Sequence, residues 1–292
     1  MPLLNAINKA ISDATGAAFV PLQQQSVSGG CINQSYLLAD DQRRFFVKLN
    51  VAKRLAMFEA EAAGLQEILA SNTVRVPCPL CHGLADNQAF LVMEYLDLRA
   101  HGDAAALGQQ LAQMHRPQQA CFGGPRDNTL GSTPQPNTQT ATWITFLREQ
   151  RIGYQLRLAA QNGYGGKLQT QGEKLLAGLD AFFTDYQPQA SLLHGDLWGG
   201  NHGYLADGTP VIFDPAVYYG DRETDLAMTE LFGGFAPAFY AAYQEAWPLD
   251  AGYAERKTLY NLYHILNHAN LFGGGYAAQA LQMIAKLNAE LA

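Results

Sequence analysis

Over the first hundred residues the apolar positions fall in short alternating runs, and beyond residue 100 they recur every three or four. The chain therefore predicts a strand-rich N-terminal part and a mostly helical remainder. Residues 22–28 and 32–39 read as two strands around Ser28-Gly29-Gly30, and 43–50 as a third, in which Lys48 follows Phe45-Phe46-Val47. Past Asn50 the period changes, and Leu55, Phe58, Ala62, Leu65 and Leu69 predict a helix over 53–70. A loop and strand follow over 76–83, then an apolar strand over 89–96 with Glu94 near its end. The polar stretch 97–103 marks a junction, so two lobes are expected, 1–96 and 97–292. Apolar stripes place helices at 103–116, 143–161, 168–186, 223–232, 236–245, 254–272 and 276–291. The stretch 123–142, with Pro125, Gly131, Pro134 and Pro136 and few apolar residues, reads as a surface loop beside a functional site. The fold class is α+β, a β-rich lobe followed by a helical one.

Two short apolar runs among the helices each end at a carboxylate. Residues 191–194 break into Gly195-Asp196, and 211–213 stop at Asp214. Phosphotransfer loops of the protein-kinase kind have this order: an Asp that accepts the proton of the attacking hydroxyl, an Asn five positions later on magnesium, and a further Asp on magnesium after the next strand. Asp196, Asn201 and Asp214 reproduce it. A hard divalent ion that keeps several waters takes one or two carboxylate or amide oxygens plus phosphate oxygens, and a separate carboxylate must face the hydroxyl. Each residue alone is a common turn closer. The ordered triplet points to ATP and Mg2+ in a protein-kinase-like arrangement.

That arrangement asks for a lysine on the nucleotide phosphates and a helix glutamate to hold it. Lys48 takes the strand position. At about 100° per residue Glu61 falls beside Phe58 and Leu65 on the apolar stripe, whereas Glu59 points away, so Glu61 is the expected partner. Gly29 and Gly30, before the lysine strand, sit where backbone amides could cover phosphates. Backbone groups of Met93, Glu94 and Leu96 are where adenine would bind in such a hinge. Asp225 is expected to brace the catalytic loop, and His115 to cap the C-terminus of its helix.

His194-Gly195-Asp196-Leu197-Trp198-Gly199-Gly200-Asn201, Phe213-Asp214-Pro215-Ala216, the run from Tyr218 to Glu223, Asp225-Leu226-Ala227 and the run from Leu231 to Phe235 together resemble the fructosamine kinase, or ketosamine 3-kinase, family. Gly29-Gly30-Cys31-Ile32, Phe46-Val47-Lys48, the run from Met57 to Glu61, Val74-Arg75-Val76-Pro77 and Leu266-Asn267-His268 are similar to its pattern as well. The likeness spans nearly the whole chain. His-Gly-Asp with a later Asp is shared with aminoglycoside phosphotransferases and choline kinases, and Leu197-Trp198 with Asp214-Pro215 narrow the match. The resemblance implies ATP-dependent phosphorylation of the sugar 3-hydroxyl of a ketosamine, a fructosyl, ribulosyl or erythrulosyl adduct of lysine or a protein amine. The phosphorylated adduct falls apart, so the implied role is deglycation. Trp198, Tyr219 and His268 are the candidate substrate residues.

Two other readings are weighed. A kinase for aminoglycosides or amino alcohols would favour acidic side chains in the last helices, yet from 254 to 292 only Glu255 and Glu290 are acidic. A non-catalytic nucleotide-binding module would be expected to lack the base or a metal ligand, and here every role is filled.

Composition adds limits. With 292 residues, 48% of them hydrophobic, the chain is long enough for one large or two modest cores. A net charge of −7 disfavours nucleic acid, whose phosphates need a basic footprint. No apolar run reaches about 18 residues and the first sixteen carry Asn5, Lys9 and Asp13, so neither a membrane span nor a signal peptide is expected, and the cytoplasm is the expected compartment. Cys31, Cys78, Cys81 and Cys121 are expected as reduced thiols. Cys78-Pro-Leu-Cys81-His82 fits a redox or haem-attachment spacing, but haem needs export and zinc a second ligand pair. Cys31, in the glycine turn, is a candidate oxidisable thiol.

Overall fold

The structure is a computed structural model that describes residues 2–27 and 32–291, and the expectations for Gly29, Gly30 and Cys31 lie outside the described residues. It divides into two compact units, Met1–Asp103 with His202–Pro215, and Ala104–Asn201 with Ala216–Ala292.

The first unit opens with a helix the strand pattern did not suggest, α1 (Pro2–Thr15), whose signal is the four-residue spacing of Ile7 and Ile11, both fully buried. Strands β1 (Gln23–Ser26), β2 (Gln34–Ala39), β3 (Arg44–Val51), β4 (Pro79–Ala85) and β5 (Gln88–Glu94) form an antiparallel sheet in the order β1-β2-β3-β5-β4. A single-turn 3-10 helix over Ala52–Arg54 leads into α2 (Leu55–Ala70). Ile7 and Ile11 pack with Leu38, Val47, Leu49, Phe90 and Val92 in one core. Since side chains alternate along a strand, Val47 and Leu49 on that face send Lys48, paired with Leu91 of β5, to the other.

The hairpin of β10 (His202–Tyr204) and β11 (Pro210–Ile212), numbered in chain order, belongs to this unit although it lies a hundred residues further on. Backbone bonds fix it there: Arg99 N–H to Tyr204 O (2.7 Å), Tyr204 N–H to Arg99 O (3.0 Å) and Ile212 N–H to Arg75 O (3.0 Å). The expectation of one boundary after Leu96 therefore differs from the observed division, since these backbone bonds between segments far apart in sequence have no local signature.

The second unit contains α3 (Ala104–His115), β6 (Gln118–Gln119), β7 (Asn128–Leu130), β8 (Thr133–Gln135), α4 (Trp143–Phe146), α5 (Gly153–Gln161), α6 (Lys167–Ala177), β9 (Ala190–Leu193), β12 (Tyr218–Gly220), α7 (Glu223–Leu231), α8 (Pro237–Ala246), α9 (Tyr253–Phe272) and α10 (Tyr276–Glu290). The fully buried β9 is the centre of the small sheet β12-β9-β6. Trp143, Phe146, Leu193, Tyr218, Leu259, Ile265 and Ile284 share the main core. Thr142 caps α4 by accepting the Thr145 N–H at 3.2 Å, and Pro237 starts α8 where a missing N–H costs nothing.

Three expectations are corrected here. The helix expected over 143–161 is interrupted by a π-helical stretch, Leu147–Ile152, and the one over 168–186 ends at Ala177, with a 3-10 turn at Leu179–Phe183. The breaker-rich stretch 123–142 is more than a surface loop, because Gln135 and Asn137 within it are buried. Gln135 receives the Tyr263 hydroxyl at 2.7 Å, and Arg151 donates to Asn137 Oδ1 at 2.6 Å.

Candidate active site

In the first unit three predicted residues meet. Lys48 Nζ donates to Glu61 Oε1 and to Asp214 Oδ1, both at 2.6 Å. Glu61, rather than Glu59, lies on the buried face of α2 and supplies the partner. Burial by itself pushes the Lys48 ammonium's pKa down, but Asp214 and Glu61 outweigh it and hold the group charged, above its ordinary value. Glu61 is pushed up, by burial first and by the nearby Asp214 charge, against the pull of Lys48. Asp214 follows β11 with φ +58°, a left-handed conformation uncommon outside glycine. Its side chain stays 44% exposed, so the carboxylate keeps access to solvent while one oxygen holds the lysine.

Of the hinge residues, Met93 is buried in β5 and Leu96 is half-buried. The Glu94 N–H is committed to Cys78 O at 2.8 Å, and its carboxylate pairs with Arg75.

In the second unit the loop after β9 is shaped by two constraints. Gly195 has φ +81°, and a Cβ there would stand 2.2 Å from Ala216 O, so only glycine fits. Asp225, at the start of α7, accepts the N–H of His194 at 2.7 Å and that of Gly195 at 2.9 Å. Its carboxyl lies below the usual range: burial, the largest influence, pushes up, but His115, His194 and the Gly195 amide outweigh it. Asp196 N–H donates to His194 Nδ1 at 3.2 Å. Asn201 Nδ2 donates to Asp196 O at 2.9 Å and to Asp196 Oδ2 at 3.3 Å, which fixes Oδ1 as the end of the amide that can ligate a cation.

His115 is no helix cap. It is fully buried, with Nδ1 2.8 Å from the Tyr243 hydroxyl and Nε2 3.2 Å from Asp225 Oδ2. Asp225 can only accept, so Nε2–H donates to its Oδ2, and Arg222 donates to the same Tyr243 hydroxyl at 3.2 Å. Sequence reasoning missed this support because its partners lie more than a hundred residues apart.

Trp198 is 38% exposed and meets Phe232 edge-on at 6.2 Å between ring centroids, and Phe232 meets His268 at 5.0 Å. Tyr219 exchanges backbone bonds with Gly123 and packs against the main core. Cys78, Cys81 and Cys121 are free, and burial pushes the Cys81 thiol up to about 11, away from thiolate chemistry. Among the described residues no group of three His, Cys, Asp or Glu could hold a metal, and no helix is long and apolar enough to cross a membrane.

The family model described as fructosamine kinase matches residues 3–290. A Synechocystis protein named "Probable ketoamine kinase" is 50% identical over 95% of this chain and 94% of its own. "Protein-ribulosamine 3-kinase, chloroplastic" of Arabidopsis thaliana is 43% identical over 89% of this chain and 80% of its own. A crystal structure described as "Putative fructosamine-3-kinase" from Haemophilus somnus 129PT superposes with a TM-score of 0.90 at 29% identity, covering 98% of both chains. The aminoglycoside phosphotransferase APH(4)-Ia shares the fold, with a TM-score of 0.65 at 14% identity and 99% of both chains covered.

Proposed function

Because the chain belongs to the fructosamine kinase family, a family of kinases, we propose that it transfers the γ-phosphoryl group of ATP to the sugar 3-hydroxyl of ketosamines. The relatives' names, ketoamine kinase and ribulosamine 3-kinase, support a ketosamine acceptor. Deglycation follows from the chemistry, since the 3-phosphorylated adduct eliminates phosphate and releases the amine.

The observation that carries the reading is the loop at 194–201. Asp225 clamps two consecutive amides immediately before Asp196, and Asn201 ties back to the Asp196 carbonyl, so the carboxylate of Asp196 is held by its own backbone. A base that must meet one hydroxyl gains from such fixation. In this reading Asp196 accepts the proton of the 3-hydroxyl as the oxygen attacks. Lys48, kept charged between two carboxylates, binds the α/β-phosphates, and Glu61 orients it. The backbone of Met93, Glu94 and Leu96 is proposed to receive the adenine, through groups other than the Glu94 N–H, which Cys78 O already takes. Gly29 and Gly30, proposed to cover the phosphates, lie outside the described residues.

Asn201 and Asp214 are the proposed magnesium ligands, and the donor set fits: one amide oxygen fixed by its own hydrogen bonds and one accessible carboxylate, both hard oxygens. Magnesium, when bound, neutralises phosphate charge. Trp198, Tyr219 and His268 are proposed to face the acceptor.

The test is ATP- and magnesium-dependent phosphate incorporation into fructosyl-, ribulosyl- and erythrulosyl-lysine, run beside an aminoglycoside and choline. Transfer to ketosamines alone is expected; transfer to the aminoglycoside or choline instead overturns the acceptor assignment. Asp196→Asn is expected to bind ATP as the wild type does and to lose at least about a hundredfold in turnover. A variant that keeps near wild-type rate removes Asp196 from its role.

A further inference from the structure

Arg151 carries a charge into the core of the second unit, where it is 1% exposed. It sits in the π-helical stretch Leu147–Ile152, a geometry found mostly as single turns and often at functional sites. Gly153 closes that stretch: its N–H bonds to Arg148 O, and a Cβ there would stand 2.2 Å from the same oxygen. The guanidinium carbon lies 4.4 Å from the ring centroid of Phe146, 4.0 Å from that of Tyr218 and 5.5 Å from that of Tyr263. Its hydrogen-bond acceptors are neutral oxygens, Pro136 O and Asn137 Oδ1 at 2.6 Å and Gln150 O at 3.1 Å. Its buried Nε–H has no partner among the described residues. A buried cation held in this way gains little over an apolar side chain of similar volume, so stability alone does not account for it.

What the guanidinium imposes on its surroundings is direction. It can only donate, so Asn137 turns its oxygen to Arg151 and its NH2 group away. That group donates to Asn128 Oδ1 at 3.2 Å and to Arg126 O at 3.1 Å. Asn128, its oxygen taken, donates from Nδ2 to Val217 O at 2.8 Å. Gln135, which accepts from the Tyr263 hydroxyl, donates to Asn128 Oδ1 at 2.8 Å and to Ala216 O at 3.1 Å. Both lines end on residues 216–217, and these back the catalytic loop. Ala216 N–H donates to His194 O at 2.8 Å. Ala216 O leaves no room for a Cβ on Gly195, and Tyr218, the ring nearest the guanidinium, would stand 3.3 Å from that Cβ.

We propose that Arg151 is a positioning residue for the phosphoryl transfer: through Asn137 and Asn128 it orders the segment 216–218, the wall against which Gly195 sets Asp196. The proposal rests on the reading of Asp196 as the base. Arg151 touches no substrate and acts through Asp196.

The test is a double-mutant cycle of Arg151→Met with Asp196→Asn, measured as turnover with ATP, magnesium and the acceptor that the wild type phosphorylates fastest. Urea unfolding and ATP titration run beside it. Arg151→Met is expected to lose about tenfold in kcat, with the acceptor KM and the ATP affinity within about twofold of wild type. In the Asp196→Asn background the same substitution should cost less than about twofold, because the group it positions is gone. Asn128→Ala cuts the line with Arg151 in place, at a half-buried position, and carries the test where Arg151→Met does not fold. It is expected to lose about fivefold in kcat and, again, almost nothing further without Asp196. A lowered urea midpoint with wild-type kcat per folded enzyme, as a purely structural arginine would give, overturns the inference while the base assignment stands. Losses that multiply with that of Asp196→Asn do the same. An Asp196→Asn enzyme at near wild-type rate removes the base assignment instead, and the positioning role with it, as does a wild type that phosphorylates no acceptor.

Discussion

Asp225→Asn keeps the size of the side chain and removes one acceptor and one charge. In the wild type the carboxylate takes the His194 N–H at 2.7 Å, the Gly195 N–H at 2.9 Å and His115 Nε2–H at 3.2 Å, all buried. An amide retains one oxygen and turns an NH2 group toward the remaining donors. With the amide oxygen in the place of Oδ2, two charge-assisted hydrogen bonds become neutral ones, at a cost of about 1 kcal/mol each, and the buried Gly195 N–H loses its acceptor, at about 1–3 kcal/mol. The expected loss of stability is therefore about 3–5 kcal/mol, read by urea unfolding at pH 7. Turnover should fall about ten- to a hundredfold, because Gly195 leads directly into Asp196 and a misplaced base loses rate steeply. Nucleotide affinity should hold, since Lys48, Glu61 and Asp214 belong to the other unit. The pH dependence has a definite sign. A carboxyl whose folded pKa is depressed contributes stability above its unfolded value of about 3.9 and loses it as pH falls through the folded value. The gap between wild type and variant should thus stay constant from about pH 5 to 8 and narrow only below about pH 4. A loss under about 0.5 kcal/mol with unchanged turnover would refute the argument that this carboxylate holds the loop.

Lys48→Met leaves two carboxylates facing each other without an ammonium, and should cost about 3–5 kcal/mol by thermal unfolding, with ATP binding lost in titration; adding Glu61→Gln should recover part of the stability but none of the binding. His264 is buried in α9 and its pKa is pushed down to about 3, by burial first and by His268 second. The unfolded chain therefore takes up a proton below about pH 6.5 that the folded one refuses, and stability falls with pH in that window. His264→Phe should gain on the wild type by about 1.4 kcal/mol for each pH unit between about 6.5 and 4 in urea unfolding; parallel curves would rule His264 out. Gly195→Ala should destabilise by at least about 3 kcal/mol and abolish turnover, because its methyl group meets Ala216 O in a left-handed backbone. A Gly195→Ala protein with a wild-type unfolding midpoint would contradict that geometry.

What the sequence by itself determined were features carried by local periodicity and order. The apolar stripes set the helices of the second unit to within a few residues, except where a π-helical stretch and a 3-10 turn interrupt the period. The choice of Glu61 over Glu59 needed only the angle between successive helical residues, and the contact with Lys48 follows it. The spacing of Asp196, Asn201 and Asp214 suggested the chemistry because each role demands a residue type. Only the tertiary structure decided which distant polar groups meet. His115 reads as a helix end in the chain and is a buried support for Asp225, and the breaker-rich stretch 123–142 carries two buried amides held by Tyr263 and Arg151. Asp214 reaches Lys48 because a hairpin a hundred residues downstream bonds to the backbone of Arg75 and Arg99. Hydrophobic period is a property of neighbours in the chain, whereas a buried hydrogen bond or a ring contact depends on how separate elements pack, and no local pattern encodes that.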